Sequence, residues 1–375
     1  MSAQNVSFHL FVCFYPHIYI QSENQQYNLQ DGPSFSDDDV PSHTSLWTRN
    51  FMDKLGVVVR HERSPVSIIK EWSLSVLSED NLKVIETMLP KAASCLKNID
   101  FESLEDIWCA MKSDKLPTDL LKLIKLDTDF RYPASQPSSF GVRGEDFMFT
   151  LAYIIENMEE DKDIFEWQYQ ILFDKFIQMF GIISMQQPFI KSKKSLIMGK
   201  AVDSQPNLLC FTSDPRKKRS VLMVCEVNKN DLLREVISED SPPEKKLRST
   251  SCISSCVASS ITDSLLAQHV GELFVYMDKS VTSRAVLGMT VEKHIWDSSS
   301  RPSTCEVRVT LLHANENALD KVKKSDGGGS VCFDAQEERP RFYYSKPLNY
   351  LKREDRLELM QSLLHIRMMQ KKFEQ

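Results

Sequence analysis

The chain has 375 residues, 42% hydrophobic and 26% charged, with only 11 Gly and 16 Pro. That composition implies one or two globular domains and excludes collagenous, wholly disordered and disulfide-stapled miniature classes. Forty-six basic residues against 52 acidic ones give a net charge of −6, which excludes nucleic-acid binding by bulk charge and leaves only local basic patches for it.

Residues 8–20 (FHLFVCFYPHIYI) are apolar but lack a basic flank and a small-residue cleavage site, so they are not read as a signal peptide. No other apolar run approaches the length of a membrane span, and no membrane association is predicted. Nine cysteines without a CxxC pair or histidines at zinc spacing predict free thiols in an intracellular compartment, nuclear or cytoplasmic.

Residues 1–63 are expected to form a mostly disordered arm, because the stretch from 21 onward is rich in Gln, Ser, Asp and Pro and has no sustained periodicity. Trp47 and Phe51 are its largest possible anchors. Over 64–130 the apolar residues recur at helical spacing, as in Ile68, Ile69, Trp72 and Val76 or Leu104, Ile107, Trp108 and Met111. This predicts an N-terminal helical extension of three or four helices. The Pro, Ser and Gly content of 131–144 reads as a linker.

An α/β domain is expected over 131–345. Two helices open it, 145–158 and 163–180, the second with an aromatic stripe of Phe165, Tyr169, Phe173, Phe176 and Phe180 assigned to the core. Three strands follow at 195–202 (SLIMGKAV), 208–212 (LLCFT) and 220–227 (SVLMVCEV). A polar insert at about 230–260 is expected to be disordered. Beyond it come an amphipathic helix over 261–278 and two strands, 285–296 and 304–313. The Gly triplet at 327–329 reads as a flexible loop. A C-terminal helix within 346–375 places Leu357, Met360, Leu364 and Met368 on one face, with Arg353, Arg356, Arg367 and Lys371 on a solvated basic side.

One polar constellation stands out among these strands. If the segment between the second and third strands is a hairpin turn centred near Lys217, Asn207 falls opposite Val227. Glu226 and Asn228 share a strand face, and a one-residue shift or bulge turns Asn207 onto it. Polar groups then converge at the open end of the hairpin.

The order helix, three strands, helix, strand, with Pro206-Asn207 opening the second strand and Glu226-Val227-Asn228 closing the third, resembles the PD-(D/E)XK nucleases over about 150 residues. The resemblance implies a restriction-endonuclease-like mixed sheet flanked by helices, Mg²⁺ as cofactor and nucleic acid as ligand. Only Glu226 keeps the family's residue type. Asn207 and Asn228 replace one of the two anionic ligands and the single ammonium group, so catalysis is expected to be impaired or absent. Asp203 and Lys229 are the nearest groups that would restore a carboxylate and an ammonium, given a bend in the backbone. The resemblance further implies an acidic residue from the preceding helix, Glu166, and a polar residue from the following one, Gln268 with Glu272 a turn later; His269 is expected to point elsewhere.

Of two basic runs, 216–219 (RKKR) is read as a solvated hairpin tip, a nuclear-import signal or a phosphate contact, and 245–248 (KKLR), within the insert, as an import signal or a modification site. Three functions therefore stand: a catalytically degenerate nucleic-acid-binding or scaffolding module, an active Mg²⁺-dependent nuclease with a displaced centre at Asp203, Glu226 and Lys229, or an adaptor that binds a protein partner through its helical segment.

Overall fold

The computed structural model describes residues 40–83, 166–212, 220–230, 262–294, 304–325, 329–350 and 353–374, with isolated helical residues between 86 and 154. The chain divides after Asp37, and everything described belongs to the second unit, 38–375. The insert beyond Asn230, the basic runs, the linker up to residue 142 and the expected helices between 88 and 130 lie outside the described residues.

Within the unit, a mixed eight-stranded sheet is ordered β1 (Val58–Arg63), β9 (Arg341–Ser345), β8 (Thr304–His313), β7 (Ala285–His294), β6 (Val221–Asn230), β5 (Leu208–Phe211) and β2 (Ser184–Gln186). The short β10 (Leu348–Asn349) adds to β8. Only β1 with β9 and β6 with β7 run parallel; the other pairs are antiparallel. The connection from β6 to its parallel neighbour β7 carries helix α4 (Asp263–Tyr276), as a parallel pair requires of its crossover.

Helices cover both faces. On one face α2 (Pro65–Leu74), α3 (Glu166–Met179) and α6 (Arg353–Glu374) bury Trp72, Phe173, Phe176, Leu359 and Leu363 against Leu287, Met289, Val307 and Val309. On the other, α4 packs against Val224, Val286 and Leu312, with α1 (Arg49–Lys54) and α5 (Glu316–Lys324) in the same core. Alternation along the strands produces these two faces, because successive side chains point to opposite sides of a sheet.

Several expectations change. The arm predicted over 1–63 is structured from Val40 onward. Trp47 and Phe51 are buried with their ring centroids 4.7 Å apart, and Trp47 lies over α4 at Gly271, where a Cβ would come within 2.9 Å of its ring. Burial of one Trp–Phe pair offsets much of the ordering entropy of a short polar segment, which a windowed reading of composition cannot register. β1 escaped notice because its sequence, VVRHER, carries the charges typical of an edge strand.

The strand expected at 195–202 is instead a hairpin, β3 (Lys193–Ile197) and β4 (Lys200–Ser204), forming a sheet of its own. Its turn puts Met198 at φ 46° and Gly199 at φ 73°, the left-handed pair that a tight hairpin demands. α2 packs on α6 and the sheet rather than building a separate bundle, and Ser73 Oγ lies 3.0 Å from His365 Nε2 on α6. Two residues expected on the solvated basic side of α6 are instead buried, Arg356 and Arg367, the latter donating from Nη1 to Gln370 Oε1 at 2.7 Å, while the side chains of Arg353 and Lys371 lie outside the described residues. None of the described helices is long and apolar enough to cross a membrane.

Candidate functional site

β5 and β6 pair antiparallel with Leu208 opposite Cys225 and a register shift between Cys210 and Phe211. The register is thus one residue off that of a hairpin centred at Lys217, and Asn207 comes beside Glu226 instead of Val227. Both side chains are buried. Asn207 N–H donates to Glu226 Oε2 at 3.3 Å, and Val227 N–H donates to Asn207 Oδ1 at 2.8 Å.

Asn207 is held from the far side by α3. Its Nδ2 donates to Glu166 Oε1 and to Gln170 Oε1, each at 3.3 Å, while Gln170 Nε2 donates to the Asn207 carbonyl at 3.1 Å. Glu226 is held by α4: Gln268 Nε2 donates to Glu226 Oε1 at 2.5 Å and to Glu272 Oε1 at 3.1 Å. The sequence-predicted residues Asn207, Glu226, Gln268 and Glu166 therefore do converge.

His269 belongs to the same network, contrary to expectation. Its Nδ1 lies 3.4 Å from Glu272 Oε2, three residues on along α4, and its Nε2 lies 2.8 Å from Thr310 Oγ1 on β8. Adjacent helical positions diverge, but an i,i+3 pair shares a face, so Gln268 and His269 reach Glu272 from two sides. Room for the imidazole comes from Gly288 on β7, where a Cβ would fall 2.5 Å from His269 Nε2.

Among the described residues, neither Asn228 nor Asp203 is hydrogen-bonded into this network. Asn228 is half-buried and its backbone pairs with Glu292, while the backbone of Lys229 pairs with Lys293; the Lys229 side chain lies outside the described residues. Asp203 sits on β4, with its N–H on the Ser42 carbonyl at 2.8 Å and its Oδ2 3.5 Å from Ser192 Oγ. Among the described residues no hydrogen bond or ion pair joins Asp203 to Glu226, and no group of three His, Cys, Asp or Glu side chains is arranged to hold a metal ion.

Sequence reading missed a second polar row beyond Glu226. Glu226, Thr290 and Arg308 are in register across β6, β7 and β8. Asn228, Glu292 and Glu306 follow two residues away. Arg308 is buried and pairs through Nη1 with buried Glu292 and through Nη2 with Glu306 at 3.5 Å. The signal was available: polar residues alternate with valines in TVE (290–292) and EVRVT (306–310), which marks one polarised sheet face.

Electrostatics follow from burial. Removal from water, reinforced by the neighbouring Glu272 carboxyl and less by Glu166, holds the Glu226 carboxyl well above the usual carboxylate range, against the opposing pull of the Asn207 N–H. A neutral Glu226 carboxyl avoids the repulsion that a second buried negative charge beside Glu272 would bring. Burial and the adjacent Glu272 and Asp203 likewise push the Tyr276 phenol up.

This donor set is a poor match for Mg²⁺. A hard divalent cation takes ionised oxygens in open geometry. Here Asn207 Oδ1 accepts from the backbone, and each Glu226 oxygen already accepts an N–H. A metal would have to displace a proton and two donors together. Comparison with known proteins found no matching family model, no matching curated protein and no matching solved structure.

Proposed function

We infer that this chain is a non-catalytic module built on a restriction-endonuclease-like framework, in which the former catalytic position has become a structural clamp and the protein binds nucleic acid or serves as a scaffold. The observation that carries this reading is the engagement of Glu226: Asn207 N–H takes one oxygen and the Gln268 amide takes the other.

In a metal-dependent nuclease the corresponding carboxylates must be ionised and open to the ion, and a cation must meet the developing charge on phosphate. Asn207 and Gln268 supply neutral amides in those surroundings. They join α3, the β5–β6 hairpin and α4 into one hydrogen-bonded unit, which suits a rigid binding framework better than a reaction centre.

The test is a cleavage assay on single-stranded DNA, duplex DNA and RNA with Mg²⁺ or Mn²⁺. The reading predicts no divalent-dependent cleavage above that of Glu226→Ala. Cleavage by the natural sequence that Glu226→Ala abolishes would establish an active nuclease instead.

A further inference from the structure

We propose that the segment from Gln187 to Lys194, which begins beside Asn207, is an aromatic and basic platform that binds single-stranded nucleic acid. The proposal rests on the binding-module reading and gives that module a contact surface.

The loop 187–192 joins β2 to β3, whose first residues are Lys193 and Lys194, and it is clamped at Gln187 and Ile190. Gln187 N–H donates to the Asn207 carbonyl at 3.1 Å, and Gln187 Nε2 donates to the Gln205 carbonyl at 2.8 Å. Gln205 Nε2 returns a hydrogen bond to the Ile190 carbonyl at 2.9 Å, and the Ile190 side chain is buried. Between these anchors Phe189 is 73% exposed. A held backbone with a phenyl ring in water has already lost much of the entropy that binding would otherwise cost.

Charge selects the partner. From Phe189 to Ser204 the sequence carries four lysines against one aspartate, in a chain whose net charge is −6. Lys193 is committed to the Val275 carbonyl and to Asp278, the latter at 2.6 Å. Lys191 and Lys194 are exposed on either side of it. An exposed aromatic followed by cations on a held loop and the strand it enters fits a nucleic-acid strand whose bases are free to stack and whose phosphates lie alongside. Bases in a duplex are already stacked on one another and offer no free face to Phe189. An apolar protein surface would use the ring but not the lysines.

Fluorescence anisotropy of the full chain with a labelled oligodeoxythymidylate, and with a duplex of equal length, tests the platform. Single strand should bind more tightly than duplex. Phe189→Ala should weaken single-strand binding about tenfold, and Phe189→Trp should retain it. The Lys191→Glu, Lys194→Glu double variant should flatten the salt dependence by about 0.7 per lost phosphate contact. Unchanged melting temperatures confirm intact folds, as expected for exposed positions. If the natural chain binds single strands and Phe189→Ala binds equally well, the platform is wrong while nucleic-acid binding survives. If the natural chain binds neither polynucleotide, the platform and the nucleic-acid reading fall together, and only scaffolding remains.

Discussion

Glu226 and Glu272 stand close enough that a single amide nitrogen, Gln268 Nε2, donates to both, at 2.5 and 3.1 Å. Two carboxyls in this relationship cannot both ionise cheaply away from water. The Glu226 proton is therefore part of the fold.

A pH dependence follows. In the unfolded chain Glu226 ionises in the ordinary carboxylate range, whereas in the folded protein burial and Glu272 keep it protonated to higher pH. The folded state binds the extra proton across that window, so stability should fall as pH rises above the ordinary range, by at most about 1.4 kcal/mol per unit for one proton. Urea denaturation between acidic and mildly alkaline pH should show this slope in the natural protein and a flatter one in Glu226→Gln. Equal slopes would remove Glu226 as the titrating group.

His365 produces the opposite limb. Burial, with Lys70 adding to it, lowers this imidazole to about 4. The unfolded histidine takes up its proton first as pH falls, so stability is lost between the ordinary histidine range and about pH 4. His365→Gln should flatten that acid limb while keeping a polar partner near Ser73 Oγ. An unaltered acid limb would show that other groups set it.

Gly288 should be intolerant of any side chain. Its Cβ would lie 2.5 Å from both His269 Nε2 and Thr310 Oγ1, and Gly288→Ala should cost about 1–3 kcal/mol through overpacking. Adding His269→Ala should recover part of that loss in a double-mutant cycle. Strictly additive effects would refute the contact.

Asn207 is predicted to work as an amide, not as a defective aspartate. Asn207→Ala leaves the buried Val227 N–H without its acceptor and should cost about 1–3 kcal/mol. Asn207→Asp keeps that acceptor but turns an anionic oxygen toward Glu166 and Gln170 Oε1, where the amide now donates. Its destabilisation should therefore grow from pH 5 to pH 8. A pH-independent cost would mean that shape alone matters there.

Much of the α/β domain could be read from periodicity. β8 occupies the predicted 304–313, α3 and α4 fall within their predicted ranges, and the aromatic stripe of α3 buries Tyr169, Phe173 and Phe176. The pairing of β5 with β6 was also legible, since two apolar runs flank a polar turn. Its register was not, because the shift between Cys210 and Phe211 leaves no mark in composition. β2 has three residues and β10 two, too few for any alternation to emerge. In the site, Asn207 and Glu226 were legible from the polar ends of the predicted strands, and Gln268 through the family resemblance alone. His269 was not, because its role depends on the space left by Gly288 on a strand distant in sequence.

The most direct test of the clamp is thermal unfolding of the natural chain and of Glu226→Gln, each with and without Mn²⁺. An ion held by native Glu226 would raise the melting temperature by mass action. With both Glu226 oxygens engaged by amides, any shift produced by Mn²⁺ should be the same in the two proteins. A Mn²⁺-dependent rise in the natural chain that Glu226→Gln abolishes would show that Glu226 binds metal and would contradict the account.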